Sequence, residues 1–289
     1  MTCRFGNNLI AFLLLAFPLS TFAYETASVR NGGTLSGTVT LRGVSPPPVV
    51  FRLGMSPFSR FCEKISDGEG RVVLEEYNVS AEGTMQDTIV AIQDVKSGKV
   101  FKPVNASFFA TDCMFHPQTA SHHEMYESNE QGHVHHVHPL VAVFQDRQRI
   151  SVVNQDPISH NGQLFQQETG HVLLNFPIAG KEKSWGGIPR FENGKKFVQM
   201  ICGMHEYMQT YGMVVDNPYY AQTKKDGFFQ IEEIPEGTYQ VMAWHPHFKP
   251  IIKEIVVSKG AALSLNFEFE SESVRTRVFE SADSLRLID

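Results

Sequence analysis

The sequence is short of several things, and each shortage excludes something. It holds 2 Trp against 22 Phe, and 4 Cys. Charged residues make up 19%, the net charge is -6 and no basic stretch offsets it, which excludes a nucleic-acid footprint. Beyond the N-terminal segment, no apolar run approaches the length of a membrane span. No long stretch repeats with helical periodicity. What is present is ordinary globular composition, 42% hydrophobic over 289 residues. That suits one large or two modest domains and fits neither disorder nor a fibre.

The N-terminal segment has its own logic. Arg4 gives a positive start, Leu9–Leu19 is a short apolar core, and Thr21-Phe22-Ala23 supplies small residues before Tyr24. Residues 1–23 therefore read as a cleaved secretory signal peptide. The expected product is periplasmic or secreted and holds no membrane anchor. Cys3 would leave with the signal, and Cys62, Cys113 and Cys202 remain. An odd number in an oxidising compartment leaves one stray thiol, or one cysteine held by something other than sulfur.

Most of the remaining chain reads as strands. Thr34–Arg42, Thr88–Val95, Val141–Phe144, Ile150–Val153, Phe197–Ile201, Gly212–Val215, Gly227–Ile231, Gly237–Trp244 and Ile251–Val257 are short and rich in β-branched residues. Turn signals such as Asp67-Gly68, Asn193-Gly194 and Asp226-Gly227 separate them. This spacing predicts an all-β sandwich. Ser45–Pro48 is a proline-rich spacer, and the charged tail 270–289 reads as a short amphipathic helix or a frayed end. A polar insertion, 118–138, carries His122, His123, His133, His135, His136 and His138.

The chemistry concentrates in Cys202-Gly203-Met204-His205-Glu206-Tyr207-Met208, between two expected strands. Upstream, after another strand, stands Asn154-Gln155-Asp156-Pro157-Ile158-Ser159-His160-Asn161. Two imidazoles, one thiolate and a weak axial thioether are the donor set of a blue-copper centre, and soft sulfur ligands select copper over hard cations. Zinc prefers a more nearly tetrahedral arrangement. The candidate ligands are His160, Cys202, His205 and Met208. Met213 is a rival axial donor, though it falls inside the expected next strand.

This pattern resembles the cupredoxins, and the short ligand loop is most similar to amicyanin. The resemblance covers roughly residues 84–218 and implies a Greek-key sandwich holding one type 1 copper. It implies that Asn161, following the first histidine, ties the ligand loops together by hydrogen bonds. Multicopper oxidases carry a His-Cys-His triplet where Ile201-Cys202-Gly203 stands, and a binuclear purple-copper loop needs a second cysteine that is absent here. With Cys202 assigned to the metal, Cys62 and Cys113 are left to pair as a disulfide, to stay as two thiols or to serve as further ligands.

A second resemblance flanks the first. Thr223–Ile231 with its Asp-Gly turn, followed by Ile234-Pro235-Glu236-Gly237-Thr238-Tyr239, is similar to the carboxypeptidase regulatory family, a small transthyretin-like sandwich. Its usual opening strand appears far upstream as Ser36-Gly37-Thr38-Val39-Thr40-Leu41. Residues 31–43 and 219–269 are thus expected to form one sandwich, with the copper domain, 44–218, inserted. A single extended sandwich is the alternative. The pair of modules resembles bacterial periplasmic cupredoxin-like proteins often labelled methylamine utilization proteins.

Within the insertion, strand alternation places His133 and His135 on one side and His136 and His138 on the other. Either pair suits copper or zinc, or the segment is a solvated loop. Trp244-His245-Pro246-His247 reads as a core tryptophan followed by histidines at a strand end, with a metal role as the lesser reading. The leading expectation is a non-enzymatic protein passing single electrons between partner proteins. The rivals are a copper carrier using the histidine-rich insertion, and a structural or adhesive module without metal.

Overall fold

Alternation along Gly33–Arg42 sets the first sheet, because Leu35, Gly37, Val39 and Leu41 are buried while Ser36, Thr38 and Thr40 are partly exposed. The computed structural model describes residues 24–118, 125–181, 183–192 and 194–273, without the His135 side chain. The expected signal segment, His122, His123 and most of the tail lie outside them. The chain is all-β, and its sheets pack as sandwiches.

Gly33–Arg42 pairs antiparallel with Phe228–Ile234 and parallel with Ala262–Ser264 and Phe267–Glu270. A Cβ on Gly37 would lie 1.9 Å from the Leu265 carbonyl oxygen, so only glycine lets the strands approach. Facing this sheet is a second one, ordered Tyr220–Gln222, Ile89–Ile92, Gly237–Trp244, Ile251–Val257. Leu35, Val39, Val90, Ile92, Phe229, Val241 and Phe267 fill the space between. Ile89–Ile92 was expected in the copper core. It pairs instead with Gly237–Trp244 and Tyr220–Gln222, so the flanking sandwich draws a strand from within 44–218.

The other sandwich holds the candidate ligands. One sheet runs in the order Val141–Gln145, His205–Val215, Phe197–Cys202, His160–Gln166, Val172–Ile178. The opposing sheet runs Lys183–Gly187, Ile150–Asn154, Ser107–Thr111, Met114–Pro117. Phe108, Phe115, Val152, Leu164, Phe176 and Met200 meet between them. A further sheet of Val49–Arg52, Arg71–Leu74, Val134–Val137 and Tyr126–Ser128 adds Phe51, Leu74, Tyr126 and Val137 to the same core. The described part of the insertion is therefore built into the core rather than looped out from it.

Several strands, His160–Gln166 and Ser107–Thr111 among them, were not expected from the sequence, and two further differences have clear physical reasons. His205–Val215 starts seven residues earlier than expected, because Cys202 pairs directly with His205 across a two-residue turn. Val172–Ile178 was not expected at all, since Pro177 breaks a strand pattern; it is tolerated because this strand lies at the sheet edge.

Cys62 and Cys113 form a disulfide spanning 51 residues of sequence, worth about 4 kcal/mol on the chain-entropy estimate. The two sandwiches meet through Ile89, Ala91, Val141, Phe197, Tyr211, Met213 and Trp244. Coverage on both faces explains why every residue of Ile89–Ile92 is buried. Trp244 is fully buried and stacks on Phe197, with ring centroids 4.9 Å apart and planes 5° from parallel. Trp244→Ala should cost about 3–5 kcal/mol in urea unfolding. A loss below ~1 kcal/mol would mean that the seam adds little to stability.

Candidate metal centre

Asn154 ends its strand and fixes the loop that follows. Its side-chain amide donates to the Ile158 carbonyl at 2.8 Å, and its Oδ1 accepts the Asp156 N–H at 3.0 Å. This turns the Asp156 carboxylate inward, where it accepts the backbone N–H groups of Asp112 and Cys113 at 2.8 and 2.9 Å. Both those residues have positive φ, 54° and 58°, in the tight turn between Ser107–Thr111 and Met114–Pro117. The same carboxylate takes a hydrogen bond from His160 Nε2 at 2.8 Å.

With Nε2 so engaged, His160 presents Nδ1 to Cys202 Sγ at 3.9 Å. Across the hairpin, His205 Nδ1 lies 3.6 Å from the same sulfur. His205 Nε2 donates to the Pro57 carbonyl at 2.9 Å, and Cys62 Sγ of the disulfide lies 4.0 Å from it. The two imidazoles meet edge to face, 5.2 Å apart. His160, Cys202 and His205 are at most 1% exposed. Their donor atoms all lie within 4.8 Å of one another.

A thiolate at ~2.3 Å and an imidazole nitrogen at ~2.0 Å from one ion stand about 3.7 Å apart at trigonal angles. The two sulfur–nitrogen distances bracket that edge, so each imidazole nitrogen stands at the spacing from the sulfur that a shared ion would require. Burial opposes ionisation of the Cys202 thiol, but hydrogen bonds from His160, His205 and the Asn161 N–H overcome it and bring the thiol down to about 6. Burial also disfavours the charged form of His160, yet its bonds to Asp156 and Cys202 raise it above the usual imidazole range. The Asp156 carboxyl is likewise penalised by burial but lowered by His160 and the two backbone N–H groups.

Met208 is fully buried in the core cluster that contains Cys202. Met213 is not near: it pairs with Phe197 at the far end of the hairpin and packs in the seam with Trp244. Asn161 joins the His160 and Cys202 segments through its backbone. Its N–H donates to Cys202 Sγ at 3.4 Å, and its carbonyl accepts the Gly203 N–H at 2.8 Å.

The histidine-rich stretch is elsewhere. His136 and His138 turn toward Glu127, and His133 is exposed against Gly68. Trp244 is core as expected, and His245 and His247 are buried beside Tyr77. Sequence reasoning did not assign Asp156 or Pro57 a role. The spacing of Asp156 four residues before His160 was the available signal for the first; nothing local pointed to the second.

A family model described as polysaccharide lyase family 4, domain II, matches residues 203–265, where the carboxypeptidase regulatory family was expected for 219–269. No curated protein matches the sequence. Among solved structures, a copper-containing nitrite reductase from Thermus scotoductus SA-01 is similar at 13% identity and a TM-score of 0.27, covering 41% of this chain and 24% of the reductase. A purple cupredoxin from Nitrosopumilus maritimus shows 17% identity and a TM-score of 0.24, over 38% of this chain and 99% of its own. A mutant amicyanin with copper(I) shows 10% identity and a TM-score of 0.24, over 44% of this chain and 98% of its own. Scores this low add no weight to the geometry.

The lowered thiol gives a pH signature in metal-free protein. Thiolate absorbance in the ultraviolet should persist at neutral pH and vanish on acidification with a midpoint near 6, against 9.0 for an ordinary cysteine. A midpoint of ~8–9 would mean that the imidazoles do not stabilise the thiolate.

Proposed function

We propose that His160, Cys202 and His205, with Met208 as the axial donor, hold one copper ion, and that the protein passes single electrons between redox partner proteins. The observation that carries this reading is the aim of the two imidazoles. Each turns Nδ1 toward Cys202 Sγ while its Nε2 is fastened to a protein acceptor, Asp156 for one and Pro57 for the other. A bound copper ion would supply a one-electron redox couple with strong thiolate covalency. The chain's part is to hold the donors in place, so that little moves when the charge changes.

Asp156 sets which nitrogen of His160 faces the sulfur, and the Asn161 N–H tempers the charge on Cys202. Burial of the three donors keeps water and small molecules away, which favours electron passage over substrate chemistry. The same burial disfavours the carrier reading, because an ion enclosed in this way exchanges slowly. An exported location is part of the proposal. Among the described residues, no helix is long and apolar enough to cross a membrane.

Copper-loaded protein should show an intense band near ~600 nm from thiolate-to-copper charge transfer. Cys202→Ser should abolish it; a variant that stays blue would disprove the assignment. Met208→Gln should retain the band and lower the reduction potential, since a long axial ligand tunes potential more than affinity. An unchanged potential would remove Met208 from the ligand set. Asp156→Asn should weaken copper binding ~10–100-fold, read by competition with a chelator; undiminished affinity would reduce Asp156 to a turn-forming residue.

A further inference from the structure

The segment that closes over His205 is fastened at three points. The Pro57 carbonyl takes its hydrogen bond from His205 Nε2 at 2.9 Å, the Phe58 carbonyl accepts the Phe61 N–H at 2.9 Å, and Cys62 is bonded to Cys113. Between these anchors Phe58 has φ 56° and ψ 26°, the left-handed region that a bulky side chain seldom adopts. Yet Phe58 is 48% exposed and Met55 is 64% exposed. A strained backbone that displays an aromatic ring to solvent, on a rigid support, points to a use at the surface.

The charge beside these residues is positive. Arg52 and Arg60 are exposed and have no ion-pair partner among the described residues. Lys64 is paired with Asp112, and the nearby acids Asp67 and Glu69 are taken up by Arg71. Glu63 is the one acid within 52–64, in a chain whose net charge is -6.

We infer that Arg52, Met55, Pro57, Phe58 and Arg60 form the docking surface for an acidic one-electron carrier protein. Methionine, aromatic and arginine side chains are enriched where proteins meet, and two free cations select a partner of opposite charge. The inference rests on the copper reading for what crosses the surface. One electron leaves the carrier, which is oxidised, and reduces copper(II) of the proposed centre to copper(I); no atom is transferred. The two imidazoles differ in their outward link: His160 leans on the buried Asp156, whereas His205 is hydrogen-bonded to the exposed Pro57. The Pro57 carbonyl is therefore the electron's entry, one residue from Phe58. Phe228, Ile252 and Val256 are also exposed, but they belong to the flanking sandwich, away from the ligands.

The probe is a plant-type ferredoxin, a small acidic one-electron protein, titrated into the metal-free chain while backbone amide shifts are followed by NMR. Shifts should centre on residues 52–60. Arg52→Glu combined with Arg60→Glu should weaken binding ~10-fold or more, and Phe58→Ala ~5-fold; all three positions are exposed. Arg147→Glu, beyond the Val215 end of the His205–Val215 strand, should leave it unchanged. Shifts centred elsewhere, no binding, or equal loss in the Arg147 variant would overturn the docking surface. In copper-loaded protein, bleaching of the blue band by reduced ferredoxin should slow in the same variants and at high salt. The first arm involves no copper. Shifts at 52–60 with no blue band in the loaded protein would sink the copper reading and leave the docking surface standing, and a blue band with shifts elsewhere would do the reverse.

Discussion

The Asp156 carboxylate joins three parts of the chain that are far apart in sequence. It fixes His160 through Nε2, and it accepts both N–H groups of the strained turn at Asp112 and Cys113. Cys113 is in turn bonded to Cys62, whose sulfur lies against His205. One buried anion thus connects both imidazoles with the disulfide. Such an anion is costly to bury unless fully hydrogen-bonded, and here its donors are supplied before any metal arrives. In the proposed centre the carboxylate behind the imidazoles would fix the geometry as much as the metal's own donors would.

Around that centre, the chain spends an unusual amount of structure on enclosure. The segment from Leu53 to Ile65 brings Pro57 over His205, and Phe51 packs edge-on against Tyr207. The strands Tyr126–Ser128 and Val134–Val137 extend the same wall, and their outer face carries Glu127, His136 and His138. The flanking sandwich does not reach the ligands. It meets the other one through the Trp244 seam, at the opposite end of the Phe197–Cys202 strand from the sulfur.

The convergence of His160, Cys202 and His205 was legible because a tight hairpin and one neighbouring strand suffice to bring them together, and both left local marks. Pro57 was not legible: its carbonyl reaches His205 only through a fold of the chain 148 residues away. Ile89–Ile92 was readable as a strand from its apolar run, but which sheet it joins depends on Trp244 and Tyr220, far downstream. The extent of His205–Val215 was hidden by its polar start, His205-Glu206-Tyr207, which reads as a loop until Cys202 is seen to pair with it. The insertion looked detachable from its composition, since the buried Tyr126, Val134 and Val137 are few among many polar residues.

The central claim is that one ion sits among one sulfur and two Nδ1 atoms. X-ray absorption at the copper edge of the loaded protein tests it most directly. The account predicts one sulfur scatterer at a thiolate bond length of about 2.2–2.3 Å and two imidazole nitrogens at about 2.0 Å. A first shell of nitrogen and oxygen alone would contradict it.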